Sequence, residues 1–100
     1  MVLVATTVDP DIRKSDAGIL QIRFFLDDLD DAGKRVFRRY HRTTLLPGGS
    51  LAEILAANER SIADLGYPAI PAAQKAQLGA IVAREHTPEV VAAYRARYGV

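Results

Sequence analysis

The alternation of apolar and polar positions is sharpest from Ile19 to Leu26, where Leu20, Ile22, Phe24 and Leu26 fall on one side and Gln21, Arg23 and Phe25 on the other. A period of two is the signature of a half-buried strand. Upstream, Val2, Leu3, Val4, Ala5, Thr6, Thr7 and Val8 are nearly all apolar or β-branched, and Asp9-Pro10-Asp11 after them is turn chemistry that ends a strand. Downstream, Arg35 to Thr44 reads as a third strand, with Val36 and Tyr40 on one face and Phe37, Arg39, His41 and Thr43 on the other. The two longer strands are expected to form a hairpin, with Asp27, Asp28, Asp30 and Asp31 in its turn.

The period then changes. Pro47-Gly48-Gly49 is a turn, and Ser50 followed three residues later by Glu53 has the form of a capping box, in which side chains satisfy the free amides of a helix start. Leu51, Ile54, Leu55, Ile62 and Leu65 recur at helical spacing and are expected to line one buried stripe, before Gly66 and Pro68 stop the helix near Leu65. Pro71 suits the first position of a second helix, whose apolar face is Leu78, Ile81 and Val82 and which Gly79 weakens. Thr87-Pro88-Glu89 opens a third as N-cap, first-turn proline and early acid, with Val90, Val91, Tyr94 and Tyr98 expected inward. The fold class is therefore α+β: a small antiparallel β-hairpin or three-stranded sheet over residues 2–44, followed by two or three α-helices near 51–65, 72–85 and 88–98.

The 100 residues make a single domain, 1–100, with no room for a second core. The hydrophobic share is 49%, but much of it is alanine, so the core rests on a modest set of larger side chains. Cysteine is absent, which removes disulfides and thiolate chemistry together. No apolar run is long enough to span a bilayer and no basic start leads into an apolar stretch with a cleavage site, so membrane insertion and Sec-type export are not expected. The net charge of +1 points to no partner.

One stretch breaks this neutrality. Lys34, Arg35, Arg38, Arg39 and Arg42 crowd the third strand beside Phe37, Tyr40 and His41. A basic strip with aromatics is a reason to consider a small nucleic-acid-binding regulator working through residues 34–42. In the ribbon-helix-helix version, Arg35, Phe37, Arg39 and His41 would be the row that enters a major groove. The four aspartates stand directly before the strip, within about one Debye length (~10 Å at 0.1 M salt), and offset a field that phosphate binding needs uncompensated. The preceding strand also supplies a partner within the chain. Nucleic acid is therefore the alternative, and an edge strand or a protein contact the main expectation.

Other chemistry is thin. Asp28, Asp30 and Gly33 match three positions of a calcium loop, but Ala32 and Arg39 stand where ligands are required. His41 and His86 have no partners at metal-site spacing beyond Glu89 after His86. Ser50 sits in no nucleophile elbow, and Gly48-Gly49-Ser50 lacks the lysine of a phosphate loop. No catalytic residue, metal ligand or cofactor is assigned, and the protein is expected not to be an enzyme. Arginine with tyrosine is, by contrast, the composition of interface anchors. The candidate contact residues are Arg38, Arg39 and Tyr40 on the hairpin and Tyr94, Arg95, Arg97 and Tyr98 on the last helix.

In the order of its elements, a charged β-hairpin, a Pro-Gly-Gly-Ser break and alanine-rich helices ending in HTPEVVAAYRARYGV, the chain resembles small structural proteins of tailed bacteriophages. The resemblance implies a virion subunit of the tail, baseplate or head-to-tail region, located in the virion or, before assembly, in the host cytoplasm. Its partners would be other protein subunits of the assembly, further copies of itself among them.

Overall fold

The strand with the clearest alternation forms the middle of the sheet. The computed structural model describes residues 3–99. Its elements are β1 (Leu3–Val8), β2 (Arg13–Lys14), β3 (Leu20–Leu29), β4 (Arg35–Leu45), α1 (Leu51–Asp64), α2 (Ala72–Glu85) and α3 (Pro88–Tyr98). All pairings are antiparallel, and every one is made to β3. β4 runs along one edge of β3 for its whole length, while β1 and β2 share the other edge. Position 2 of the expected first strand lies outside the described residues. β2 was not foreseen, because two residues carry no period; it forms by pairing Arg13 with Gln21 and Lys14 with Leu20.

β3 runs on to Leu29, so Asp27 and Asp28 belong to the strand and not to the turn. Both carboxylates are held from neighbouring elements, Asp27 by Arg38 and Asp28 by the Tyr67 hydroxyl, which makes a charged strand end tolerable. The turn is built on Asp30. Its Oδ1 accepts the N–H of Ala32 and of Lys34, and Gly33 takes the left-handed conformation at φ 80°, closing a short hairpin loop.

Helices cover only one face of this sheet. Leu20, Ile22, Phe24 and Leu26 are all within 2% of complete burial. With Leu55, Ile62, Tyr67, Ile70 and Leu78 from the helical side they account for most of the core. α1 starts as expected, the Ser50 hydroxyl accepting the Glu53 N–H. It ends in a Schellman motif: Gly66 at φ 92° lets Tyr67 N–H reach the Ile62 carbonyl and Gly66 N–H that of Ala63. That reversal turns Leu65 outward to 49% exposure, a correction to the expected stripe, and buries Tyr67 in its place.

α2 runs back along β1 and β2. Gln74 Oε1 accepts the Val8 N–H, and Glu85 pairs with Lys14. Pro71 stands one position earlier than expected, as the N-cap with an extended backbone (ψ 137°). α3 is capped by Thr87 as read from the sequence, but it buries no residue. The inward placing of Tyr98 is thereby corrected: it is exposed, and only Val90, Val91 and Tyr94 are half-buried. The helix touches the sheet end through glycine. A methyl group on Gly18 would stand 2.7 Å from Val90 Cγ1, and one on Gly48 would meet Val91 and Arg95. The molecule extends 51 × 22 × 20 Å with a radius of gyration of 15.4 Å, more elongated than the ~13 Å expected of a compact chain of this length.

Candidate functional site

The face of the sheet that the helices leave bare carries the densest chemistry. In antiparallel pairs, opposite residues share a face. The register Gln21↔Thr44, Arg23↔Arg42, Phe25↔Tyr40 and Asp27↔Arg38 therefore places these side chains on one surface. Across from them β1 adds Thr7 opposite Phe25 and Ala5 opposite Asp27, both small side chains.

At its centre, Phe25 and Tyr40 meet edge to face, with ring centres 5.6 Å apart. Guanidinium groups lie over both rings: Arg38 is 3.9 Å from the Phe25 centre and Arg23 is 4.9 Å from that of Tyr40. Each arginine is fixed in turn by a carboxylate. Arg38 Nε and Nη2 donate to the two oxygens of Asp27 at 2.7 and 2.9 Å. Arg23 Nε and Nη2 donate to Asp9 Oδ2 at 2.8 and 2.5 Å. Arg38 holds the Asp27 carboxyl below the usual carboxylate range. The Asp11 N–H, and after it Arg23, does the same for Asp9. The result is a stack of ring and guanidinium surfaces, each arginine held by a carboxylate, with Tyr40 54% exposed at its top.

The structure separates the residues grouped by sequence. Arg38 and Tyr40 belong to the bare face, whereas Arg39 lies opposite Leu26 on the side that carries the helices. Arg39 stands near Phe37, its guanidinium 5.9 Å from the ring. The row Phe37, Arg39 and His41 of the ribbon-helix-helix version consequently shares the helix-bearing side. His41 Nε2 is bonded to Asn58 Oδ1 of α1 at 2.8 Å. Arg35, opposite Leu29, falls on the bare face because an irregularity in the ladder next to that pair takes up Val36.

Tyr94, Arg95, Arg97 and Tyr98 make a separate surface at the other end of the molecule from the hairpin turn. The two tyrosine rings are 4.7 Å apart, and Arg97 lies 5.4 Å from the Tyr98 ring centre. Arg95 packs over Gly48. Asp9, Arg23, Phe25 and Asp27 were absent from the candidate set. Their one visible signal is an aromatic, Phe25, in the polar row of a strongly alternating strand.

The acidic residues compensate the basic strand unevenly. Among the described residues Arg38 alone of the five cations in 34–42 forms an ion pair. Asp28 accepts the Tyr67 hydroxyl at 2.7 Å, which pushes the Tyr67 pKa up. Among the described residues no group of three His, Asp or Glu side chains is placed to hold a metal ion, and no helix is long and apolar enough to cross a membrane. A concavity of about 510 Å³ lies between the β1–β2 connection and α2, walled by Val8, Pro10, Ile12, Leu78 and Ile81. Its acid, Asp9, is already bound to Arg23.

Fold and surface together define an α+β protein with a one-sided antiparallel sheet. Comparison with protein-family models, with curated proteins and with solved structures finds no match for the chain.

Proposed function

We propose that the protein is a non-enzymatic assembly subunit acting through protein–protein contacts, in the tail, baseplate or head-to-tail region of a tailed bacteriophage virion. The bare sheet face supports the contact reading. Arginine and tyrosine are the side chains that most often carry interface energy. Here Arg23, Arg38 and Tyr40 are already held in place by Asp9, Asp27 and Phe25, so docking on them loses little side-chain entropy. The assignment to a virion rests on the sequence resemblance alone.

Mass spectrometry of native particles, or a pull-down from the source, tests this. The expected result is a stoichiometric protein complex containing the chain. Replacing Tyr40 by alanine should leave the isolated domain folded, since it is 54% exposed, and reduce its incorporation. A free monomer without a stoichiometric partner, or turnover of a small substrate by the purified chain, would overturn the reading.

One observation favours the alternative of a small nucleic-acid-binding regulator: Lys34, Arg35, Arg39 and Arg42 form no ion pair among the described residues. Against it, Arg39 is on the opposite side of the sheet from Arg38, so the cations do not line up as one stripe. Duplex binding weaker than micromolar at about 150 mM salt is expected. Tighter binding that loses its salt dependence in Arg38→Ala/Arg39→Ala would establish the alternative.

A further inference from the structure

The two edges of the sheet differ. β1 and β2 are short, separated by residues 9–12, and α2 approaches closely enough for Gln74 to take the outward Val8 N–H at 2.6 Å. β4 is a strand of 11 residues with one irregularity at Val36, and among the described residues it pairs only with β3. Along its far side every second residue turns its N–H and C=O away from the sheet, which is a template for another strand.

We propose that this edge is completed by an extended segment of a partner protein in which carboxylate and apolar residues alternate. The inference rests on the assembly reading and specifies its partner. A second copy of the chain is the poorer occupant. The antiparallel register that pairs all of β4 with itself is centred on Tyr40 and sets Arg38 against Arg42 on both sides of that centre, and like charges directly opposite are destabilising. Arg42, which opposes a copy, attracts an acidic strand, and Arg35 does so with it.

The two faces of β4 set the alternation. On the bare face Arg35 and Arg42 hold no carboxylate among the described residues, and Tyr40 stands exposed between them. Acidic side chains of an added strand would lie beside these. On the other face Phe37 is 54% exposed with the Arg39 guanidinium 5.9 Å from its ring, and His41 and Thr43 are half-buried near α1, so that the Phe37 ring and the Arg39 stem offer apolar surface. There an apolar side chain would gain cover. Main-chain hydrogen bonds would supply affinity and the alternating side chains the choice of partner.

A synthetic peptide of alternating glutamate and valine, as long as β4, tests this directly on the isolated chain. Saturable binding is expected, with slowed amide exchange at alternate residues of β4 and none at β1. A peptide with lysine in place of glutamate should bind at least about tenfold more weakly, and Arg35→Glu/Arg42→Glu should reverse that preference. Both substituted residues are exposed and form no ion pair among the described residues, and an unchanged unfolding midpoint would verify that the variant folds. Absence of glutamate-peptide binding, equal binding of the two peptides, or binding that leaves the β4 amides exchanging freely would overturn the proposal. In native particles, a chain held stoichiometrically but with β4 amides still exchanging would overturn the edge and leave the assembly reading standing. A chain found free would overturn the assembly reading, and the peptide result would then decide the edge.

Discussion

The guanidinium of Arg38 covers the ring of Phe25 at 3.9 Å while Nε and Nη2 hold both oxygens of Asp27. Asp27 is only 6% exposed, although it lies on the bare face, because Arg38 forms its lid. Cross-strand pairing, a charge-assisted fork and a cation–π contact thus converge on one residue pair between β3 and β4.

Removing either partner leaves the other charge poorly solvated. Asp27→Ala and Arg38→Ala should each cost about 1–3 kcal/mol. A double-mutant cycle read by urea denaturation should show the two effects to be coupled. Additive losses would mean that the contact contributes nothing beyond each side chain alone.

Acid should weaken the fold through the same carboxylates. Asp27, Asp9 and Glu85 all have folded pKa values below their ordinary ones, through Arg38, through the Asp11 N–H with Arg23, and through Lys14 with Arg84 respectively. The folded state binds these protons less readily than the unfolded chain. The stabilisation is therefore complete above the unfolded carboxylate range and is lost as the pH falls through the folded values. Urea midpoints taken from neutral pH downward should decline in that window, and Asp27→Asn should flatten the decline. A midpoint independent of pH below 5 would contradict this.

Asn58 is the one buried amide on α1. Its Oδ1 accepts the N–H of His41 Nε2, and its Nδ2 donates to the Ile54 carbonyl at 2.7 Å. The contact ties α1 to β4. Asn58→Ala should cost about 1–3 kcal/mol, since it strips a partner from His41 and opens a small void. Asn58→Leu removes the polar group but keeps volume, and should recover part of that loss. A loss below about 0.5 kcal/mol for the alanine variant would show that the pair is not what docks α1.

Glycine separates two costs that usually come together. Gly33 and Gly18 both have positive φ, at 80° and 87°, but a methyl on Gly33 meets nothing within 4 Å, whereas one on Gly18 clashes with Val90. Gly33→Ala should cost about 1 kcal/mol of backbone strain. Gly18→Ala should cost more, up to about 3 kcal/mol, or detach α3, which has no buried residue of its own. Amide exchange in α3 distinguishes these: faster exchange is expected in Gly18→Ala and not in Gly33→Ala.

Docking on the bare face should depend on Tyr40 more than on Arg39, because the two side chains occupy opposite sides of β4. In an incorporation assay, Tyr40→Ala should lower uptake into particles while Arg39→Ala leaves it nearly unchanged. The reverse order would place the contact on the helix-bearing side.

The local elements were legible in the sequence because each is specified by neighbours in the chain. The alternation of β3 from Leu20 to Leu26, the Ser50 and Thr87 caps and the stop at Gly66 depend on side chains within a few positions of the backbone they satisfy. Sidedness was not legible. Whether Leu65 or Tyr67 closes the end of α1 depends on a left-handed glycine that redirects the chain, and Tyr98 stays outside because α3 meets only the glycine turns at the sheet end. Asp27 and Asp28, read with Asp30 and Asp31 as a turn, could be recognised as strand residues only once Arg38 and Tyr67, 11 and 39 positions further along, had been brought against them. Arg38, Arg39 and Tyr40 looked like one cluster because they are consecutive. A strand sends consecutive side chains to opposite faces, and it was the covering of one face by α1 and α2 that decided which of them remained a surface.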